Sequence, residues 1–221
     1  MTEGQLQELL HHHPRLWHMA EAGSWPLIRE HGLLSTSALL DRFGVEGAAR
    51  EAIEAARRPR SVPVPGAPDG VVVRDNGPLN EKRLAACLDG GLQPRDWYRL
   101  LNGRAFLWPS RERLETLMRA YAGQAHDVIE VATAELVAAH RDRIELSPIN
   151  SGAIGRAAAR RGADTFRSIA DYDYDYWKAR RSRGKRIAEV TVVGGVPDIG
   201  RLAVRVVRMR DGVEEGVVWE R

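Results

Sequence analysis

The sequence predicts an α+β fold, and three observations carry the prediction. Short strand-like runs rich in Val, Ile and aromatic residues lie among segments with helical apolar spacing. These two kinds of segment do not alternate one for one, as a parallel βαβ array would require. No internal repeat divides the 221 residues, so the chain reads as a single domain, 1–221, long enough to bury a sizeable core.

Residues Thr2–His13 form the first predicted helix, with Leu6, Leu9 and Leu10 at core spacing and Pro14 as its stop. Arg15–Met19 reads as a strand, followed by a turn at Glu21-Ala22-Gly23. Ser24 is the expected N-cap of a helix carrying Trp25, Leu27 and Ile28, and Gly32 closes it. Residues 35–57 read as two helical pieces broken near Gly44. Pro59, Pro63, Pro65 and Pro68, with Gly66 and Gly70, predict an irregular surface excursion. Helices follow at Asn80–Leu88 and Pro94–Leu101, then a short strand at Ala105–Trp108. Ser110 is placed to cap a helix with Leu114, Leu117, Met118 and Tyr121 on one face. Strands at Asp127–Val131 and Arg143–Leu146 flank a helix at Thr133–His140. The last predicted strands are Ile187–Val193, Leu202–Met209 and Glu215–Trp219.

Composition narrows the function classes. The net charge is only +3, yet residues 156–186 hold ten Lys/Arg against four Asp, which leaves the remainder net negative. That asymmetry fits either an anionic partner bound by one region or a solvated basic face. A single cysteine, Cys87, excludes an intramolecular disulfide framework and a multi-cysteine zinc site. With no apolar run of membrane-spanning length and no signal-peptide pattern, the expectation is a soluble, cytoplasmic protein without a membrane partner. No Walker loop, GxGxxG or GxSxG occurs. His11, His12 and His13 are consecutive and point in different directions on a helix, and His126 and His140 lack partners at ligand spacing. No metal is expected.

The segment Lys185–Val193 places one carboxylate, Glu189, among apolar residues of a strand. At the level of these residues two readings stand. Glu189 is an ordinary edge-strand residue facing water, or it is a carboxylate with a task, since ionised Glu is rarely buried without a partner. Before it runs Asp171-Tyr172-Asp173-Tyr174-Asp175-Tyr176-Trp177, then Lys178, Arg180, Arg181, Arg183 and Lys185. Aromatic faces can stack on unpaired bases while cations follow phosphates. The Asp/Tyr alternation is equally open to a structural strand or a helix cap. Ser147–Gly152 has small-residue character, and Asn150 and Ser151 suit either a ligand contact or an Asx/Ser turn.

Three segments, taken in order, resemble the ADP-ribosyltransferase superfamily. Leu16-Trp17-His18, a turn, a helix and His31-Gly32-Leu33 are similar to its opening, where a first-strand His holds the nicotinamide ribose of NAD. Gly103–Arg111, with Phe106, Trp108, Pro109 and Ser110, resembles the segment of DarT-type DNA ADP-ribosyltransferases that runs from an aromatic strand into a helix. Arg111 matches that family's catalytic Arg, although the order here is Pro-Ser-Arg. Arg186–Val192 followed by Val196-Pro197 resembles the strand bearing the family's catalytic Glu, matched by Glu189.

The resemblance implies a split β-sheet core with peripheral helices and a helical, Pro-rich insertion at about 42–100. It implies NAD as co-substrate, held by His18, Gly32, Leu33, Trp108 and Arg111, with Glu189, Arg111 and His18 catalytic. The acceptor would be a nucleic acid, DNA before RNA, met by Tyr172, Tyr174, Tyr176, Trp177, Arg180 and Arg181. A toxin or phage-defence role with an antitoxin partner would follow. An RNA 2′-phosphotransferase and a non-catalytic nucleic-acid-binding domain are the alternative readings.

Overall fold

A computed structural model describes residues 1–76, 80–152, 154 and 158–221. Helix α1 (Glu3–His12) opens with a capping box. Thr2 Oγ1 accepts from the Gln5 amide at 3.3 Å and Gln5 Oε1 accepts from the Thr2 amide at 2.8 Å. Its Leu6 and Leu9 are buried in the main core. Strand β1 (Arg15–Glu21) leads to α2 (Trp25–His31) and β2 (Leu33–Leu34). Ser24 does not cap α2, contrary to the expected N-cap, because its own backbone is already helical. The cap is supplied by Asp127, whose buried carboxylate accepts from the amides of Gly23 and Trp25 at 2.9 and 3.3 Å. The same carboxylate receives Arg208 Nε at 2.6 Å.

Helices α3 (Thr36–Arg42) and α4 (Gly47–Glu54) follow, then a hairpin of β3 (Val62–Pro63) and β4 (Val72–Val73), then α5 (Glu81–Cys87) and α6 (Pro94–Asn102). The stretch expected to be irregular therefore carries a small paired ribbon. Val64, Val71 and Val73 bury it against Leu40, Val45 and Ile53. Cys87 is a buried free thiol.

The remaining elements build the sheets: β5 (Arg104–Leu107), α7 (Arg111–Met118), β6 (Ala125–Ala132), α8 (Thr133–His140), β7 (Ile144–Ser147), β8 (Arg167–Ser168), α9 (Tyr174–Arg180), β9 (Glu189–Val193), β10 (Gly195–Val196), α10 (Ile199–Leu202), β11 (Ala203–Arg210) and β12 (Val213–Glu220). Ser110 caps α7 as expected, accepting from the Arg113 amide at 3.3 Å. Strand β9 starts at Glu189 rather than Ile187.

Two four-stranded sheets result, ordered β1-β6-β11-β12 and β5-β9-β7-β8, and their neighbouring strands are all antiparallel. The chain is thus a mixed α and β protein with antiparallel sheets, the coarse class the sequence predicts. Among the described residues a single bridge joins the two sheets, with Trp17 and Trp108 exchanging backbone hydrogen bonds of 3.1 and 2.7 Å. Beyond that bridge β1 and β5 part, and a gap opens between the sheets. The short β2–β10 pair stands beside it, with Leu33 opposite Val196. Gly195 permits that contact, since a Cβ there would meet Leu33 O at 2.3 Å. Among the described residues no helix is long and apolar enough to cross a membrane.

Candidate functional site

A cleft of about 470 Å³ occupies the gap between the sheets, within the range of small-molecule sites. Its base is set by His18 and Glu189, which come from opposite ends of the chain. His18 lies one residue past the Trp17 bridge, and its Nδ1 is 2.8 Å from Phe106 O across the parting strands. A carbonyl only accepts, so Nδ1 carries the proton and Nε2 keeps its lone pair. Burial pulls His18 down to about 4, and Arg74's charge adds to that. The bond to Phe106 opposes it. The imidazole is neutral at pH 7.

Glu189 opens β9 opposite Ser147 in register. On this strand Val190 and Val192 belong to the main core, so period two sends Glu189 to the other face, where it lines the cleft. It is 1% exposed. Oε1 accepts from the Ser151 amide at 3.0 Å, while Oε2 has no hydrogen-bond partner among the described residues. Burial pushes its carboxyl up to about 7, opposed by the Ser151 hydroxyl and amide and by the charges of Arg113 and Arg161. The edge-strand alternative for Glu189 is thereby removed. Ser147 Oγ binds the backbone of Ile149 in a side-chain turn, and this turn presents Ser151.

Gly32, Leu33 and Trp108 also line the cleft, with Leu27, Leu39, Val71, Val73, Phe106 and Leu117 as its apolar walls. Gly32 holds φ at 95°, and its backbone lies against Pro197. One wall comes from the insertion, namely Arg58 and residues 70–76. The Pro- and Gly-rich composition of this stretch predicts only a surface excursion, so its place in the wall is a finding of the fold.

Arg111 is not brought to this cleft. It is the first residue of α7, and its guanidinium lies 3.5 Å from Met209 Sδ and 3.7 Å from Glu115. It lines a separate small hollow with Trp17, Glu130 and Arg205. The charge felt by Glu189 from this helix belongs to Arg113, two residues on. The expected pairing of Arg111 with His18 and Glu189 is corrected accordingly.

Tyr172 and Tyr174 are corrected as well. Each is only 2% exposed and belongs to the main core. The Tyr172 hydroxyl donates to Arg186 O at 2.5 Å, and the Tyr174 hydroxyl accepts from Arg186 Nη1 at 2.9 Å. They fix the segment leading into Glu189 and are closed to stacking with a base. Asp173 caps α9 through the Tyr176 amide at 2.9 Å, the helix-cap reading of this alternation. Tyr176 is exposed with Arg180 over its ring at 3.7 Å, and Arg181 lies over Trp177 at 4.1 Å while binding Pro148 O. These four residues form an aromatic and cationic surface outside the cleft. Arg156, first in the basic stretch, lies outside the described residues.

His13 is buried, whereas the rings of His11 and His12 meet edge to face with 5.3 Å between centroids. His13 Nδ1 bonds Pro109 O at 2.8 Å, and His12 sits 3.8 Å from Glu8.

Comparison with protein families matches residues 14–203 to a family of unknown function, DUF7002. The chain belongs to the DUF7002 family. The matched span in this DUF7002 protein includes His18, Glu189 and both sheets except β12 and most of β11. Comparison with curated proteins returns no match.

Proposed function

We propose that this DUF7002 protein is an NAD-dependent ADP-ribosyltransferase whose acceptor is a nucleic acid, DNA before RNA. The carrying observation is that His18 and Glu189, distant in sequence, line one cleft, with a buried carboxylate oxygen left unpaired at its base. Such a carboxylate lowers stability when ionised and has no structural partner for that oxygen, which is the signature of a group with a chemical task.

In the proposed reaction the bond between nicotinamide and the ribose anomeric carbon breaks, and its electron pair leaves with nicotinamide. The acceptor's nitrogen or oxygen forms the new bond to that carbon. Ionised Glu189 offsets the positive charge developing at the ribose and takes the proton displaced from the acceptor. Neutral His18 offers Nε2 as an acceptor for a ribose hydroxyl. The aromatic and cationic surface of α9 and the turn after it supports a nucleic-acid acceptor, with Tyr176 exposed for stacking and Arg180 and Arg183 exposed for phosphates. An antitoxin partner and a toxin or phage-defence role belong to the same proposal.

The test is incubation of the full chain with NAD labelled in the adenosine half, together with single-stranded DNA, duplex DNA, RNA or protein. Label is expected on DNA with stoichiometric release of nicotinamide. Salt-sensitive DNA binding without any nicotinamide release would instead support the non-catalytic reading. Transfer of a 2′-phosphate from RNA to NAD would support the phosphotransferase reading.

Two further outcomes are expected. Because Arg111 faces Met209 and Glu115, Arg111→Ala leaves nicotinamide release within about threefold of wild type. A loss nearer the 10²–10³ typical of a charge aimed at the transition state would return Arg111 to the site. Arg180→Ala combined with Arg183→Ala weakens single-stranded DNA binding. The slope of log affinity against log salt becomes shallower by about 0.7 per phosphate contact removed. An unchanged slope would place the acceptor surface elsewhere.

A further inference from the structure

The cleft has a cationic wall, and its three guanidiniums differ in what they have left to give. Arg58 is buried and fully engaged: Nε donates to Arg74 O at 3.1 Å, Nη2 to Asn102 Oδ1 at 2.9 Å and Nη1 to Ile53 O. Arg104 donates to Glu145 and to Leu100 O, each at 2.6 Å, and its guanidinium covers the Phe166 ring at 4.5 Å. Arg74 donates once, from Nη1 to Met19 O at 3.0 Å, and makes no other hydrogen bond among the described residues.

Arg74 is also held in place. Arg58 fixes its backbone through the Arg74 carbonyl, the Met19 bond ties the guanidinium to β1, and the ring of Tyr121 supports it at 4.5 Å. Its charge depresses the basicity of both His18 and His126, so it sits within electrostatic reach of the base of the cleft. Glu21 lines the same cleft, and its buried Oε2 has no hydrogen-bond partner among the described residues. A preorganised cationic fork and an unpaired carboxylate oxygen in one cleft call for a ligand carrying both an anion and hydroxyl donors.

We propose that Arg74, supplied by the insertion, is the anion-binding residue of this cleft and takes the diphosphate of a nucleoside-diphosphate ligand, with Glu21 accepting from a sugar hydroxyl. The insertion is then part of the binding site, because Arg104, the cleft-lining arginine of β5, has its charge paired with Glu145, whereas Arg74 makes no salt bridge among the described residues. The identity of the ligand rests on the NAD reading above, whereas the role of Arg74 rests on the geometry.

The test is calorimetric binding of ADP-ribose and of adenosine to the full chain, its Arg74→Gln variant and its Arg74→Lys variant. Arg74→Gln is expected to weaken ADP-ribose about 10- to 100-fold and leave adenosine unchanged, as loss of a charged hydrogen-bond donor to an anion should. Arg74→Lys should fall between, keeping the charge and losing the fork. Thermal melts of the variants check folding, and if the Gln variant is unfolded the Lys variant carries the comparison. Equal ADP-ribose affinity in wild type and a folded Arg74→Gln would overturn the assignment of Arg74 while leaving the NAD reading intact. A wild-type chain that binds no ADP-ribose would overturn the NAD reading, and this ligand assignment with it.

Discussion

Glu189→Gln is expected to lower nicotinamide release and label transfer by about 10²–10³ while leaving the protein at least as stable as wild type at pH 8. The two halves of that expectation come from the same atoms. Glutamine keeps the shape and can keep the Oε1 bond from the Ser151 amide, but it cannot supply a negative charge to a developing cation or take its proton. For stability the sign follows from burial. The carboxyl's pKa is raised in the fold from 4.5 to about 7, so the folded state holds the proton more tightly than the unfolded chain. The stability this confers is fully present below pH 4.5 and is lost as pH rises to and through about 7. For a shift of this size the loss at pH 8 is roughly 3 kcal/mol. Glutamine does not ionise, so the difference between wild type and variant in melting against pH isolates this one group, with His18 and His126 common to both. In the proposed reaction the same pKa would set the activity profile. In kcat/KM, which reports the free protein, the acid limb should bend near pH 7 and fall about tenfold per unit below it. An acid limb at an ordinary carboxylate value, or a Gln variant with full activity, would remove Glu189 from the chemistry.

Much of this site could be read in the sequence, and the errors have particular causes. Glu189 stands out in the sequence as the one carboxylate among the apolar residues of a strand, where an exposed and a functional reading both stand, and the family resemblance favours the second. His18 was legible only through its neighbours, since nothing in Leu-Trp-His itself says that the strand will part from β5 one residue after Trp17. Arg111 failed because consecutive helical residues turn by about 100°, and a linear pattern does not say which residue of the first turn faces the site. In the fold that turn sends Arg111 to Met209 on β11 and brings the charge of Arg113 to Glu189. The Asp/Tyr alternation misled for a local reason. Tyr172 and Tyr174 are buried, but helix α9 starts at Tyr174, so a period of two does not continue and Tyr176 comes out exposed. The cleft wall from residues 70–76 and the capping of α2 by Asp127 were not legible. Both depend on contacts between segments far apart in the chain, which local spacing does not encode.

Gly32→Ala is expected to destabilise the fold by about 3 kcal/mol, a fall of roughly 6–12 °C in Tm for a chain of this size. Gly32 ends α2, donating to Ile28 O at 2.8 Å, and turns the chain into β2 at a φ of 95°. An L side chain resists that conformation, and its Cβ would also stand 2.7 Å from Pro197 Cα and 3.0 Å from Pro197 O. The obstacle is backbone, so it cannot swing aside as a side-chain tip would. Relief requires β2 to move off β10, where Leu33 pairs with Val196. That movement carries Leu33 and the Leu27–Ile28 face of α2 with it, and these residues line the cleft. Ligand affinity should therefore fall together with stability. Gly23→Ala separates the two contributions. Gly23 has a φ of 87° but nothing within 4 Å of a Cβ, so its substitution should cost only the conformational part, about 1–2 kcal/mol. Equal losses at the two glycines would mean that the Pro197 contact is soft. A larger loss at Gly32, accompanied by weaker binding there alone, would place the β2–β10 pair among the parts that set the width of the cleft.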